Sequence, residues 1–126
     1  MASIYIETSI VSYLTARPSN NLIASAWKKT IDWWEKQKDR FDLYISEVVI
    51  EEASRGDKSA AARRLVAFES LRVLQLDNAS TELAKILIDK GGIPEKAVDD
   101  ALHVAVAAVQ GMGFLLTWNC RHIDNA

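Results

Sequence analysis

One cysteine, two prolines and five glycines among 126 residues are too few for several classes of protein. The lone Cys120 cannot close an internal disulfide, which argues against a cysteine-stapled scaffold and for a reducing, cytoplasmic setting. Two histidines and one cysteine supply no zinc-ligand spacing. Long apolar runs are absent too: stretches such as Val104 to Val109 fall far short of the ~18 residues of a membrane span. Ile4 to Ile6 runs straight into Glu7, so no basic-then-apolar leader opens the chain. Neither sign of charge dominates, with 15 basic and 17 acidic residues and a net charge of −2. A strongly basic nucleic-acid binder is not advertised, although an acidic, cation-requiring site can carry a local basic rim. Glycine-rich phosphate loops of either common spacing are missing, and no glycine-flanked elbow surrounds Ser9.

What is present has globular proportions, 49% apolar and 25% charged. A chain of this length makes one ordinary domain that buries roughly two-thirds of its unfolded surface. Four short β-branched or aromatic runs read as strands: Ser3 to Ile6, Leu43 to Ile45, Val73 to Leu76 and Phe114 to Thr117. The last is mostly apolar, as for a strand covered on both faces.

Two helical segments separate each pair of strands. Hydroxyls at Thr8 and Ser9 can cap a helix to about Leu14, and the cluster Arg17 to Asn21 then makes a turn. Ile23, Trp27, Ile31 and Trp34 form one apolar stripe on a helix from Leu22 to about Lys38. Ser46 suits an N-cap with Val49 as a core contact, and Gly56-Asp57 ends that helix. A helix over about Ser59 to Ser70 turns Arg63 and Arg64 outward. Asp77 or Asn78 caps the next, whose buried face is Leu83, Ile86 and Leu87, and Gly91-Gly92 ends it. Pro94 opens a last helix reaching about Gln110.

The order β-α-α-β-α-α-β-α-α-β implies an α/β fold, three layers deep, with a parallel sheet of about four strands. Ligands of such sheets gather beyond the carboxyl ends of the strands. Glu7 directly follows the first strand and Asn119 the fourth, so both belong at that edge. Glu52 lies in the helix after the second strand, and Asp100 borders the apolar face of the helix before the fourth. Such oxygen donors could hold Mg²⁺ or Mn²⁺. Each residue also has a plainer reading. Glu7 could cap a helix, Asp99 and Asp100 could complement a helix dipole, His103 could be a hydrogen-bonded core histidine, and Trp118 could simply pack.

In combination these segments resemble the PIN-domain family, particularly its VapC-type toxin ribonucleases. Ile4-Tyr5-Ile6-Glu7-Thr8-Ser9 is similar to the opening strand and its Asp-x-Ser motif. Ser46 to Glu52 is similar to the second motif, whose acid falls six residues after the serine. Asp100 to Ala105 resembles the third and Leu115 to Ile123 the fourth. Two positions depart from the family's habit: Glu7 stands where Asp is common, and Asn119 offers a neutral oxygen where Asp is frequent.

The resemblance implies a single PIN-like domain over 1–126 that either lacks the family's C-terminal edge element or is a shortened form. It implies a metal-dependent ribonuclease with Glu7, Glu52, Asp100 and Asn119 as catalytic residues. Glu7, Asp100 and Asn119 would hold Mg²⁺ or Mn²⁺, and Thr8, Ser9 and Arg121 would contact substrate phosphate. Arg17, Lys28 and Lys29 are further candidates for the RNA backbone. A small antitoxin partner and homodimerisation are also implied, with no membrane association. A non-catalytic PIN-like module binding RNA or protein is the alternative that the altered acids favour. A phosphohydrolase of small molecules would use the same carboxylates.

Overall fold

Branched and aromatic side chains fill the segments that extend, and in the computed structural model all of them pair in parallel. Residues 1–16 and 21–119 are described, the backbone alone at 21–23. Strands β1 (Ser3–Ile6), β2 (Asp42–Ser46), β3 (Arg72–Leu74) and β4 (Phe114–Leu116) form one sheet in the order β3-β2-β1-β4. Helices α1 (Thr8–Leu14) and α2 (Asn21–Gln37), then a 3-10 turn over Lys38–Arg40, connect β1 to β2. Helices α3 (Glu47–Ala53) and α4 (Lys58–Ala67) connect β2 to β3, and α5 (Asn78–Asp89) and α6 (Val98–Val109) connect β3 to β4. The expected element order and the α/β/α class are thus both observed.

Position in the sheet decides what each strand buries. Tyr44 of β2 stands in register with both Tyr5 and Arg72, and Tyr5 is in turn paired with Leu115. With neighbours on both sides, β1 buries Ile4, Tyr5 and Ile6 together. Truncating Ile6 to alanine would cost about 2–5 kcal/mol, the usual range for emptying such a site. The fourth strand differs from expectation. It lies at the sheet's edge, not between covered faces, and leaves Phe114 60% exposed. Gly113 lets this edge approach β1 closely, because a Cβ there would stand 3.2 Å from the Ser3 carbonyl oxygen.

A second, smaller core joins α5 to α6 through Ala84, Ile93, Ala101 and Ala105. The small side chains of the three alanines let the two helices pack closely. Leu83 and Leu87 contribute as expected, whereas Ile86 is 51% exposed, one position off the buried stripe. Pro94 also differs from expectation: the Ala97 N–H donates to its carbonyl at 2.9 Å, closing a separate turn, and α6 begins only at Val98.

Helix ends elsewhere are satisfied by side chains. Ser46, Asp57 and Asp77 accept from the amides of Val48, Ala60 and Ser80. Arg64 is more than a solvated face. Its Nε donates to the Ala53 carbonyl at 2.9 Å and its Nη2 to that of Arg55 at 2.8 Å, serving oxygens that the end of α3 leaves open. Arg63 likewise reaches the Thr15 carbonyl at 3.3 Å. Among the described residues no helix is long and apolar enough to cross a membrane.

Candidate active site

The sheet's carboxyl edge is where the chain turns from strand to helix, and acids stand at those turns. Glu7 follows β1 in extended backbone and caps α1, accepting from the Ser9 amide at 3.1 Å. Its Oε1 also accepts from the hydroxyls of Ser9 at 2.5 Å and Thr117 at 2.6 Å. The capping role weighed for this residue is therefore real. Only 4% exposed, the carboxylate has used three of its roughly four acceptor positions.

Glu52 arrives from the other side of β1. Ser46, at the end of β2, caps α3, and the helix carries Glu52 to the same edge. Its Oε1 accepts from Thr8 Oγ1 at 2.7 Å and from His103 Nε2. Burial pushes this carboxyl upward. The hydrogen bonds from His103 and the Thr8 hydroxyl, with the Arg55 charge, outweigh it and hold the group below the ordinary glutamate range.

Behind Glu52 lies a buried polar chain. His103, on α6 and fully enclosed, places Nδ1 2.6 Å from the Tyr5 hydroxyl, which is 2.8 Å from Ser46 Oγ. Burial drives the Tyr5 hydroxyl well above its ordinary value. Its bond to Ser46 opposes that rise, and the charges of Glu7 and Glu52 add to it. The core-histidine reading of His103 describes this environment.

Asp100 and Asn119 form the outer pair. Asp100 is in the first turn of α6, three residues and about 4.5 Å of rise before His103. Asn119 Nδ2 donates to its Oδ1 at 3.0 Å. Both line an open cleft of about 380 Å³ with Lys96, Ala97, Val98 and Asp99. Asp99 points its charge to Arg55 instead, at 3.1 Å. Thr117 connects the pairs: its Oγ1 donates to Glu7 and accepts from the Asn119 amide at 2.8 Å.

Sequence reasoning missed Thr117, Tyr5 and Ser46 as parts of this network. Thr117 directly follows β4 just as Glu7 follows β1, so the edge rule could have found it. Tyr5 and Ser46 looked like strand and cap residues and gave no separate signal. Thr8 and Ser9 are where expected, but their hydroxyl protons go to Glu52 and Glu7, and Ser9 Oγ accepts from the Trp118 amide at 2.8 Å. Trp118 packs its ring edge near Tyr13 and donates Nε1–H to Thr30 at 2.9 Å, as its packing reading anticipates. Lys28 and Lys29 are exposed on α2, whereas Arg17 and Arg121 lie outside the described residues.

The donor set suits a hard divalent cation. Glu7, Glu52 and His103 each offer an atom within 4.8 Å of the others'. Two of these are carboxylate oxygens, the ligand type that Mg²⁺ and Mn²⁺ prefer.

Fold and site together define a class of protein: α/β/α domains that gather acidic side chains at the carboxyl end of a parallel sheet. The chain belongs to the PIN domain family, whose model matches residues 4–122. Solved structures share the fold at low identity. VapC20 from Mycobacterium tuberculosis, a Sarcin-Ricin loop cleaving toxin, has a TM-score of 0.73 and 17% identity over 94% of this chain and 92% of that one. VapBC2 from Rickettsia felis, bound to a DNA fragment from its promoter, has a TM-score of 0.65 and 16% identity, covering 97% and 91%. FitAcB from Neisseria gonorrhoeae has a TM-score of 0.66 and 17% identity, again covering 97% and 91%. No curated protein sequence matches the chain.

Proposed function

We propose that this protein is a metal-dependent endoribonuclease, the toxin of a toxin–antitoxin pair. The convergence of Glu7 and Glu52 at the carboxyl edge of a PIN-family sheet carries the reading. The neighbour that cleaves the Sarcin-Ricin loop supports RNA as the substrate class. Glu7 and Asp100 would hold Mg²⁺ or Mn²⁺ directly, with Asn119 as a further oxygen donor and Glu52 direct or through water. When bound, such an ion supplies positive charge for the scissile phosphate and acidifies a water.

The chain's own groups do the rest. Glu52, held ionised by its hydrogen bonds, would orient an attacking water. Thr117 and Ser9 fix the Glu7 carboxylate, so that little reorganisation accompanies the reaction. Lys28 and Lys29 give the RNA backbone exposed positive charge. A small antitoxin covering this edge, and a homodimer, complete the proposal; VapBC2 and FitAB structures among the neighbours support such a partner.

The engagement of Glu7 in three hydrogen bonds favours one alternative, a PIN-like module that binds RNA or protein without cleaving. Purified protein, incubated with structured and single-stranded RNAs in Mg²⁺, Mn²⁺ or EDTA, decides between them. Metal-dependent cleavage that disappears in Asp100→Asn is the expected result. Intact RNA together with no metal binding overturns the nuclease in favour of the module.

A further inference from the structure

Both ring nitrogens of His103 are occupied, although the residue stands within 4.8 Å of two carboxylates as if to share a metal with them. A histidine binds metal through the lone pair of an unprotonated nitrogen. The nitrogen facing Glu52 is Nε2, and an ionised carboxylate only accepts, so Nε2 carries the proton. In the neutral ring Nδ1 then holds the lone pair and faces the Tyr5 hydroxyl at 2.6 Å. Tyr5 donates to Nδ1 and accepts from Ser46 at 2.8 Å, and Ser46 Oγ accepts from the Val48 amide at 3.2 Å. In this direction every donor has one acceptor. With Nδ1 protonated instead, in the other tautomer or in an imidazolium, Tyr5 would have to donate to Ser46, and among the described residues the Ser46 hydroxyl proton would have no acceptor. A buried polar chain with such a mismatch costs more than its bonds return.

We infer that Ser46, Tyr5 and His103 form a one-way hydrogen-bond chain that positions Glu52, and that His103 is a positioning residue, not a metal ligand. Both hydrogen bonds to Glu52 fall on Oε1, so Oε2 is the oxygen without one among the described residues. The chain clamps one carboxylate oxygen and leaves the other for a cation or water. Only the identity of that occupant rests on the proposed function; the tautomer and the clamp do not.

The wild-type protein tests this through the side-chain ¹⁵N signals of its two histidines, assigned with a His122→Asn variant. His103 should show one protonated nitrogen, Nε2, and one bare nitrogen, Nδ1, with both shifts unmoved by saturating Mg²⁺ or by Zn²⁺. An Nδ1–H tautomer, two protonated nitrogens, or a direct metal shift at either nitrogen overturns it. Tyr5→Phe, which keeps the ring but removes the donor to Nδ1, should unsettle the tautomer and weaken Mg²⁺ binding about 10-fold. Ser46→Ala serves if that variant does not fold. Unchanged Mg²⁺ affinity in a folded variant overturns the positioning role. A wild-type protein with the expected tautomer but no metal affinity sinks the metal-dependent nuclease while leaving the chain of bonds in place.

Discussion

The two pairs of site residues are built differently. Glu7 and Glu52 are inner residues, tied by hydroxyl, amide and imidazole donors, and Glu7 is almost wholly enclosed. Asp100 and Asn119 are half-buried at the rim of an open cleft and bonded to one another. Enclosure makes donors to Glu7 necessary, since an unmet buried charge is expensive. At the rim water can also reach the groups. Changes at buried Glu7 should therefore cost more stability than changes at the partly exposed rim.

Paired substitutions break that comparison most directly. Glu7→Gln and Asp100→Asn should each lower RNA cleavage about 10²–10³-fold, the loss typical of removing one charge-stabilising group. They should separate in thermal melts: Glu7→Gln turns an amide toward donors and costs about 1–3 kcal/mol, while Asp100→Asn keeps an acceptor oxygen for Asn119 and melts near wild type. Equal melting of the two variants would erase the distinction. Thr117→Val is the next largest effect. It removes the donor to Glu7 and the acceptor of the Asn119 amide, so a loss of about 1–2 kcal/mol should accompany weaker Mg²⁺ binding in calorimetry.

Acid titration sharpens the contrast further. Glu52 has a depressed pKa when folded, so the stability it adds is complete above its unfolded value of about 4.3 and is lost as pH falls through the lower folded value. Melting temperature should decline over that acidic window and decline less steeply in Glu52→Gln. The smallest effect belongs to the rim. Asn119→Asp sets a second carboxylate where Asn119 now donates to Asp100 at 3.0 Å, so metal-free protein should melt slightly lower and gain more from added Mg²⁺. Lower melting with no larger Mg²⁺ effect would remove Asn119 from the ion's surroundings.

The sequence was most legible where one local rule decides. Short β-branched, aromatic or apolar runs marked the four strands, and hydroxyl or acidic residues marked the caps at Glu7, Ser46 and Asp77. The edge rule pointed to Glu7, and family motif spacing pointed to Glu52. Sheet order is a non-local property, which is why Phe114 was read as covered and stands 60% exposed. The buried chain was illegible for the same reason. Tyr5 and His103 are 98 positions apart, and nothing near either residue announces the other.

Strand order also sets when the site can exist during synthesis. Of the described strands, β1 is made first, and one of its two partners, β4, is made after the other three. Thr117 and Glu7 meet across 110 positions, so the hydroxyl that fixes the first acid reaches it only after nearly all the described chain has emerged. Pairings this distant form late, because loop closure must precede the contacts that reward it. A nascent chain would therefore carry an incomplete acidic edge until β4 and Thr117 have emerged.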